Sequence, residues 1–218
     1  MNTKALFHFQ EYYHIYNRTH NKEVLFKEAK NYEYFLQKYK SYISPYAEIH
    51  AYALLKNHFH FSVKVKSQEL IDEYLTSLRP ERLTVGIKKY LESTLKNEAI
   101  HDLIISQHHR FFISYSKSIN KMYNRVGGLF QRPFKHSHFS ADEKFHYMQY
   151  YLHHNARKHG VVKKFTDYDY TSYNDIINRD SWIVNVAEVI DLFGSIEEFV
   201  NFHNEVQYSD QFDGLIIE

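Results

Sequence analysis

The chain has 218 residues, 44% of them apolar, with six Gly and three Pro; this excludes a disordered polymer and fits one domain of ordinary size plus a short appendage. No run approaches the ~20 apolar residues of a membrane helix, no export signal is legible in MNTKALFHFQEYYH, and cysteine is absent, so thiolate chemistry is excluded and a cytoplasmic location is expected. The net charge of +1 conceals an asymmetry: residues 1–179 carry all twenty-seven Lys and Arg against seventeen acidic residues, and nine further acidic residues lie between Asp180 and Glu218. A body of that sign suits a polyanion such as nucleic acid, whereas the acidic tail does not.

Taken in chain order, Tyr12–Asn17 is a β-forming cluster before the polar turn Arg18-Thr19-His20-Asn21. From about Lys27 to Ile43, Tyr32, Phe35, Leu36, Tyr39 and Ile43 recur at spacings of three and four, which predicts an amphipathic helix stopped by Ser44-Pro45. Ala47–Leu55 and His58–Val65, joined across Lys56-Asn57, read as an antiparallel hairpin. The opening is therefore β-α-β-β. Residues 68–125 are mostly helical, broken at Arg79-Pro80-Glu81-Arg82, with an amphipathic run through Ile113–Tyr123 that ends at Gly127-Gly128. Leu129–Phe139 reads as extended. Ser140-Ala141-Asp142-Glu143 resembles a capping box for a helix running to about Lys158 and ended by Gly160. Loops and the tyrosine-rich Tyr168–Tyr173 follow, then a helix at Ser195–Asn204. The expected fold is α+β: a ferredoxin-like antiparallel sheet with helices on one face, a helical insertion and a C-terminal extension.

Two local patterns carry chemistry. In Asn57-His58-Phe59-His60-Phe61-Ser62-Val63-Lys64-Val65, strand alternation places Phe59, Phe61, Val63 and Val65 toward a core and His58, His60, Ser62 and Lys64 on the other face. Two imidazoles ~7 Å apart along one strand face can converge on a divalent ion. A His-x-His pair by itself is weak evidence in a chain with 16 histidines. In the helix after Asp142, Phe145, Met148 and Leu152 form a core stripe, and Tyr151 and Asn155 stand one turn apart on a neighbouring face. A phenol, whose usual pKa is ~10, attacks phosphorus usefully only if it loses its proton and the phosphate is polarised by a metal. Tyr150 points ~100° away and reads as a core residue.

These segments together resemble a family. Leu55-Lys56-Asn57-His58-Phe59-His60 is similar to the HUH motif, two histidines around a hydrophobic residue. Gly127-Gly128-Leu129-Phe130-Gln131-Arg132-Pro133-Phe134-Lys135 resembles the R-G-x-L-F-Q-x-R-F stretch of REP-associated tyrosine transposases, insertion-sequence 200-like single-tyrosine enzymes of the HUH nuclease superfamily. Tyr151-Leu152-His153-His154-Asn155-Ala156-Arg157-Lys158-His159-Gly160 resembles their Y-I-H-x-N-P-V-K-A-G helix end, and Asp169-Tyr170-Thr171-Ser172-Tyr173 their W-S-S-Y element. Ala156 replaces the family's proline and Tyr170 its tryptophan; neither change removes a proposed catalytic group.

The resemblance implies that Tyr151 is the nucleophile, that His58, His60 and Asn155 hold Mg²⁺ or Mn²⁺, and that the substrate is single-stranded or hairpin DNA. It implies nicking through a 5′-phosphotyrosine and strand transfer by another 3′-hydroxyl. Residues 1–165 are the expected catalytic domain and 166–218 an extension that turns acidic after Arg179. Arg18, Lys64, Lys66, Arg125, Arg132, Lys135, Arg157, Lys158, Lys163 and Lys164 are candidates for phosphate contacts. A homodimer is the expected assembly where related enzymes set the pattern, although no interface is legible. Three alternatives remain open: a domesticated hairpin-DNA-binding protein without strand transfer, a metal-dependent phosphodiesterase that activates water, and an RNA-binding ferredoxin-like module.

Overall fold

Alternation in four short segments builds the sheet. β1 (Tyr12–Arg18), β2 (Ala47–Leu55), β3 (His58–Val65) and β4 (Lys135–Phe139) pair antiparallel throughout, in the order β2-β3-β1-β4. The computed structural model describes residues 5–141 and 143–205. The expected capping box, which needs Asp142 and the Glu143 side chain, lies outside the described residues, as do the first four residues and the tail carboxylates Asp210, Asp213 and Glu218.

The face carrying Phe59, Phe61, Val63 and Val65 is buried beneath α1 (Ala29–Ile43) and α4 (Lys96–Met122). Tyr39 of α1 lies flat on Phe61, ring centroids 3.7 Å apart, and Phe35 meets Phe59 at 4.9 Å. Phe112 of α4 reaches Phe59 at 6.0 Å, and Phe111 packs edge-on against Phe35 and Tyr39. Each buried aromatic contributes about 1.5–3 kcal/mol, so this layer anchors the strand that carries the histidines. α1 and α4 share one face, as the ferredoxin-like plan expects, but helices cover the opposite face too, which the expectation of helices on one face did not include. Between β3 and β4 the chain is helical: α2 (Gln68–Thr76), a 3-10 turn at Pro80–Arg82, α3 (Val85–Glu92), then α4. Pro80 opens that turn where the sequence breaks.

The run expected to be extended over Leu129–Phe139 is a strand only from Lys135. Phe130 makes one isolated bridge to Thr19, and the ladder then stops. Pro133 supplies the reason, since it has no N–H to donate to a neighbouring strand.

The other face of the sheet is covered by α5 (Glu143–Lys158) and α7 (Val186–Phe193), with α8 (Ile196–Glu205) packed against both helices and α6 (Tyr173–Ile177) against α7. Phe145, Met148 and Leu152 are buried as the stripe predicts. Tyr150 is a core residue, stacked on His154 at 4.0 Å. α8 matches the expected helix; α6 and α7 are short helices that the sequence reading leaves as loop. The C-terminal region also closes the open edge of β2: Leu54 N–H donates to Tyr170, Ser172 N–H to Tyr52, and Asn185 N–H to Ile49. An edge paired in this way cannot template another strand.

α5 ends in a double turn of the Schellman type: Gly160 N–H donates to the Arg157 carbonyl and Val161 N–H to the Ala156 carbonyl, with Gly160 at φ 67°. A side chain at that φ is strained. Gly160→Ala is expected to lower stability by about 1–2 kcal/mol, read from the urea unfolding midpoint, and an unchanged midpoint would contradict it.

Candidate active site

Strand register assembles the site before any helix is added. His58, His60, Ser62 and Lys64 of β3 face α5, and the pairs Tyr16↔His60 and His14↔Ser62 put Tyr12, His14 and Tyr16 of β1 on the same face. Three rings lie nearly parallel on the sheet: Tyr16 to His14 at 4.7 Å, His14 to His60 at 5.1 Å, and Tyr16 to His60 at 5.7 Å. Tyr151 descends from α5 edge-on to this row, 5.6 Å from His60 and 5.9 Å from His14, with interplanar angles of 90° and 81°. His58 stands 5.3 Å from His60 and 5.0 Å from His159, with its Nδ1 2.7 Å from the Asn57 side-chain oxygen. The structure therefore brings Tyr151 and the histidine pair together across more than ninety residues of chain.

Burial sets the charge of these groups. It pushes the His14 imidazole down to about 3 and the His60 imidazole well below the usual range, the latter also through neighbouring histidines and Lys158. Both rings are neutral at pH 7, the state in which imidazole can bind a metal. His60 Nδ1 lies 2.9 Å from His14 Nε2, while His60 Nε2 is buried with no hydrogen-bond partner. Asn155 is fully buried and neither Oδ1 nor Nδ2 has a partner; Gln149 Oε1 is in the same condition. Each such group costs about 1–3 kcal/mol, and an unpartnered buried polar atom calls for an ion or ordered water beside it. Imidazole nitrogen and amide oxygen are ligand chemistry for a divalent cation, so the residues present fit one.

Tyr16, Arg18, His58, His60, Lys135 and His159 line a cleft beside this cluster with about 30 Å³ of solvent space, room for about two waters. Tyr151 itself is 2% exposed. A phosphate reaches the phenol only after the residues that cover it move aside.

The ten basic candidates divide by position. Arg18 and Lys135 line the cleft, and the Lys158 ammonium lies 5.2 Å from the Tyr151 ring centre. Arg157, Lys163 and Lys164 are exposed around the end of α5. Arg132 borders a larger neighbouring groove of about 430 Å³ between α4 and residues 127–134. Lys66 sits on a third cleft with Trp182. Two charges are committed inside the protein: Lys64 pairs with Glu188 at 2.7 Å, and Arg125 pairs with Glu23 at 2.6 Å while holding the Gly128 carbonyl.

The sequence reading missed His14, Tyr16, His159 and Gln131, the last of which also lines the cleft. The alternation Tyr12-His14-Tyr16 was a usable signal, but only with knowledge that β1 lies beside β3. It also missed a second cluster. A β-bulge between Ile49 and Ala51 turns the fully buried His50 toward α7, and its Nε2 lies 2.9 Å from Glu188 Oε2. Ligand atoms of Glu48, His50 and Glu188 all lie within 4.8 Å of one another, the arrangement of a candidate metal triad. Glu188 also accepts from Tyr12 and Lys64, and the Asn185 amide bridges it to Glu48. The contacts to His50 and Lys64 hold the Glu188 carboxyl well below the usual carboxylate range, against the opposing effect of burial. An ion here has to displace an ammonium and an amide, whereas His60 Nε2 and the Asn155 side chain are buried without a hydrogen-bond partner. His50 neighbours Phe145, six residues or about 9 Å of helix from Tyr151.

No protein-family model and no curated protein matches the sequence. Among solved structures, the chain is similar to a REP-associated tyrosine transposase bound to a REP hairpin, with a TM-score of 0.56 at 12% identity, covering 84% of this chain and 87% of that one. At that identity the likeness is one of fold: the chain has the fold of that transposase. No described helix is long and apolar enough to cross a membrane.

Proposed function

We propose that the chain is a transposase-type enzyme that nicks single-stranded DNA and transfers the strand, with Tyr151 as nucleophile. The observation that carries this reading is the Tyr151 ring edge-on to His60, whose Nε2 is buried without a hydrogen-bond partner, with the orphaned Asn155 amide one turn along the helix of Tyr151. His58, His60 and Asn155 are the residues suited to hold Mg²⁺ or Mn²⁺, which when bound neutralises charge on the scissile phosphate. Two imidazoles and an amide add no charge of their own, so the ion keeps its full charge for the phosphate. The Tyr151 oxygen bonds to a backbone phosphorus, the bond to the 3′ oxygen breaks, and a 5′-phosphotyrosine and a free 3′-hydroxyl result. Attack by another 3′-hydroxyl on that phosphotyrosine restores the phenol. Arg18 and Lys135, which line the cleft, and Lys158, over the Tyr151 ring, would steady the strand. In this reading residues 1–165 are the catalytic unit and 166–218 the extension that closes the sheet edge.

The test is incubation with Mn²⁺ and single-stranded hairpin oligonucleotides, followed by a denaturing gel and peptide mapping. A DNA adduct on Tyr151 is expected; an adduct mapped to another tyrosine removes the assignment. The burial of Tyr151 favours a second reading, a hairpin-binding protein without strand transfer, which predicts a stable complex and no adduct.

The metal assignment is tested separately. At about a hundred times its Kd, an ion bound only by the folded state adds about 2.7 kcal/mol, which for a chain of this size raises Tm by roughly 5–10 °C. Mn²⁺ is expected to produce that shift in the wild type and not in His60→Ala. A shift that survives His60→Ala but is lost in Glu188→Gln moves the ion to the Glu48–His50–Glu188 cluster.

A further inference from the structure

His14 has a place in the site that neither the motif nor the proposed chemistry uses. His14 is 1% exposed, its ring lies nearly parallel to those of Tyr16 and His60, and its Nε2 meets His60 Nδ1 at 2.9 Å. We propose that His14 is a positioning residue that keeps the proton of His60 on Nδ1 and so leaves the His60 Nε2 lone pair facing the site for a divalent cation; this rests on the metal reading given above.

The argument is one of proton counting. Two neutral imidazoles meeting nitrogen to nitrogen share one hydrogen, and two arrangements are available. In the first, His60 Nδ1–H donates to His14 Nε2, and His60 Nε2 is a bare lone pair. In the second, His14 Nε2–H donates to His60 Nδ1, and His60 Nε2 carries a hydrogen and cannot ligate. Only the first is compatible with a metal on Nε2. It requires an acceptor at the His14 Nε2 position, because a buried Nδ1–H has no water to turn to. His14 supplies that acceptor, and it is the one partner of His60 Nδ1 among the described hydrogen bonds. The proton that His14 cannot keep on Nε2 then resides on its own Nδ1, a buried atom without a partner. The parallel stacking of Tyr16 on both rings holds them in the plane that the hydrogen bond needs.

Removing a partner of a metal-ligating histidine typically weakens metal binding by about 10–100-fold. The experiment is calorimetric titration of the metal-free protein with Mn²⁺, comparing wild type, His14→Phe, His14→Gln and His60→Ala. His14→Phe keeps a flat ring for stacking but removes the acceptor, and its affinity is expected to fall by about 10–100-fold. His14→Gln carries an amide oxygen near the lost Nε2 and is expected to recover most of that loss, which a purely space-filling role does not predict. Wild-type affinity in His14→Phe, or equal weakness in both variants, overturns the inference. If His60→Ala also binds like the wild type, the metal reading itself fails, so the two failures are distinguishable. Should His14→Phe not fold, the wild-type protein with Mg²⁺ carries the test. Long-range ¹H–¹⁵N spectra should show His60 protonated at Nδ1, and a proton on Nε2 overturns the inference.

Discussion

Replacing Tyr151 with Phe is expected to abolish the covalent DNA adduct and to lower single-strand nicking by more than about 10⁴-fold, the scale on which enzymes lose activity when a nucleophile is removed. The change deletes one oxygen and keeps the ring that stands edge-on to His14 and His60, so the packing of α5 on the sheet is preserved. Hairpin binding measured by gel shift is therefore expected to stay within a few-fold of wild type, because Arg18, Lys135 and Lys158 are untouched. The two measurements separate the competing readings. A phosphodiesterase that activates water keeps its turnover in Tyr151→Phe, and that result would end the tyrosine mechanism. The neighbouring Tyr150→Phe is the control: Tyr150 stacks on His154, away from the histidine row, and its loss is expected to leave nicking intact.

The second large effect is acid unfolding. Burial lowers His14, His108 and His203 to about 3 and His154 to about 4, and holds His60 and His153 well below the ordinary value of 6.5. In the unfolded chain each of these protonates near pH 6.5, whereas in the folded protein each stays neutral to much lower pH. The unfolded state therefore binds more protons over the whole window between, and stability falls as pH falls through it. Each group adds about 1.4 kcal/mol per pH unit once its unfolded counterpart is charged. Six acting together exceed the ~5–15 kcal/mol stability of an ordinary domain within one or two pH units. The protein is expected to be most stable above pH 7 and to unfold cooperatively near pH 5, followed by circular dichroism. Glu188, whose carboxyl is held low by His50 and Lys64, contributes stability above the ordinary carboxylate range and loses it only at still lower pH. An unfolding midpoint below pH 4 would mean that the histidines gain partners when protonated, which their buried surroundings do not offer.

Much of this molecule is local and was therefore legible in the sequence. The alternation of His58, His60 and Phe59, Phe61 assigns each side chain to a face, because a strand has a period of two whatever it packs against. The pairing of Tyr151 with Asn155, the core stripe of Phe145, Met148 and Leu152, and the Gly160 stop follow from helical geometry in the same way. What periodicity cannot provide is the identity of the neighbour. The order β2-β3-β1-β4 places His14 against His60, a bulge of one residue turns His50 into a carboxylate hub, and Lys64 is spent on Glu188 rather than left for a phosphate. Those outcomes depend on which of several similarly apolar surfaces pack together, a sum over contacts between residues 40 to 180 positions apart, so only the tertiary structure decided them.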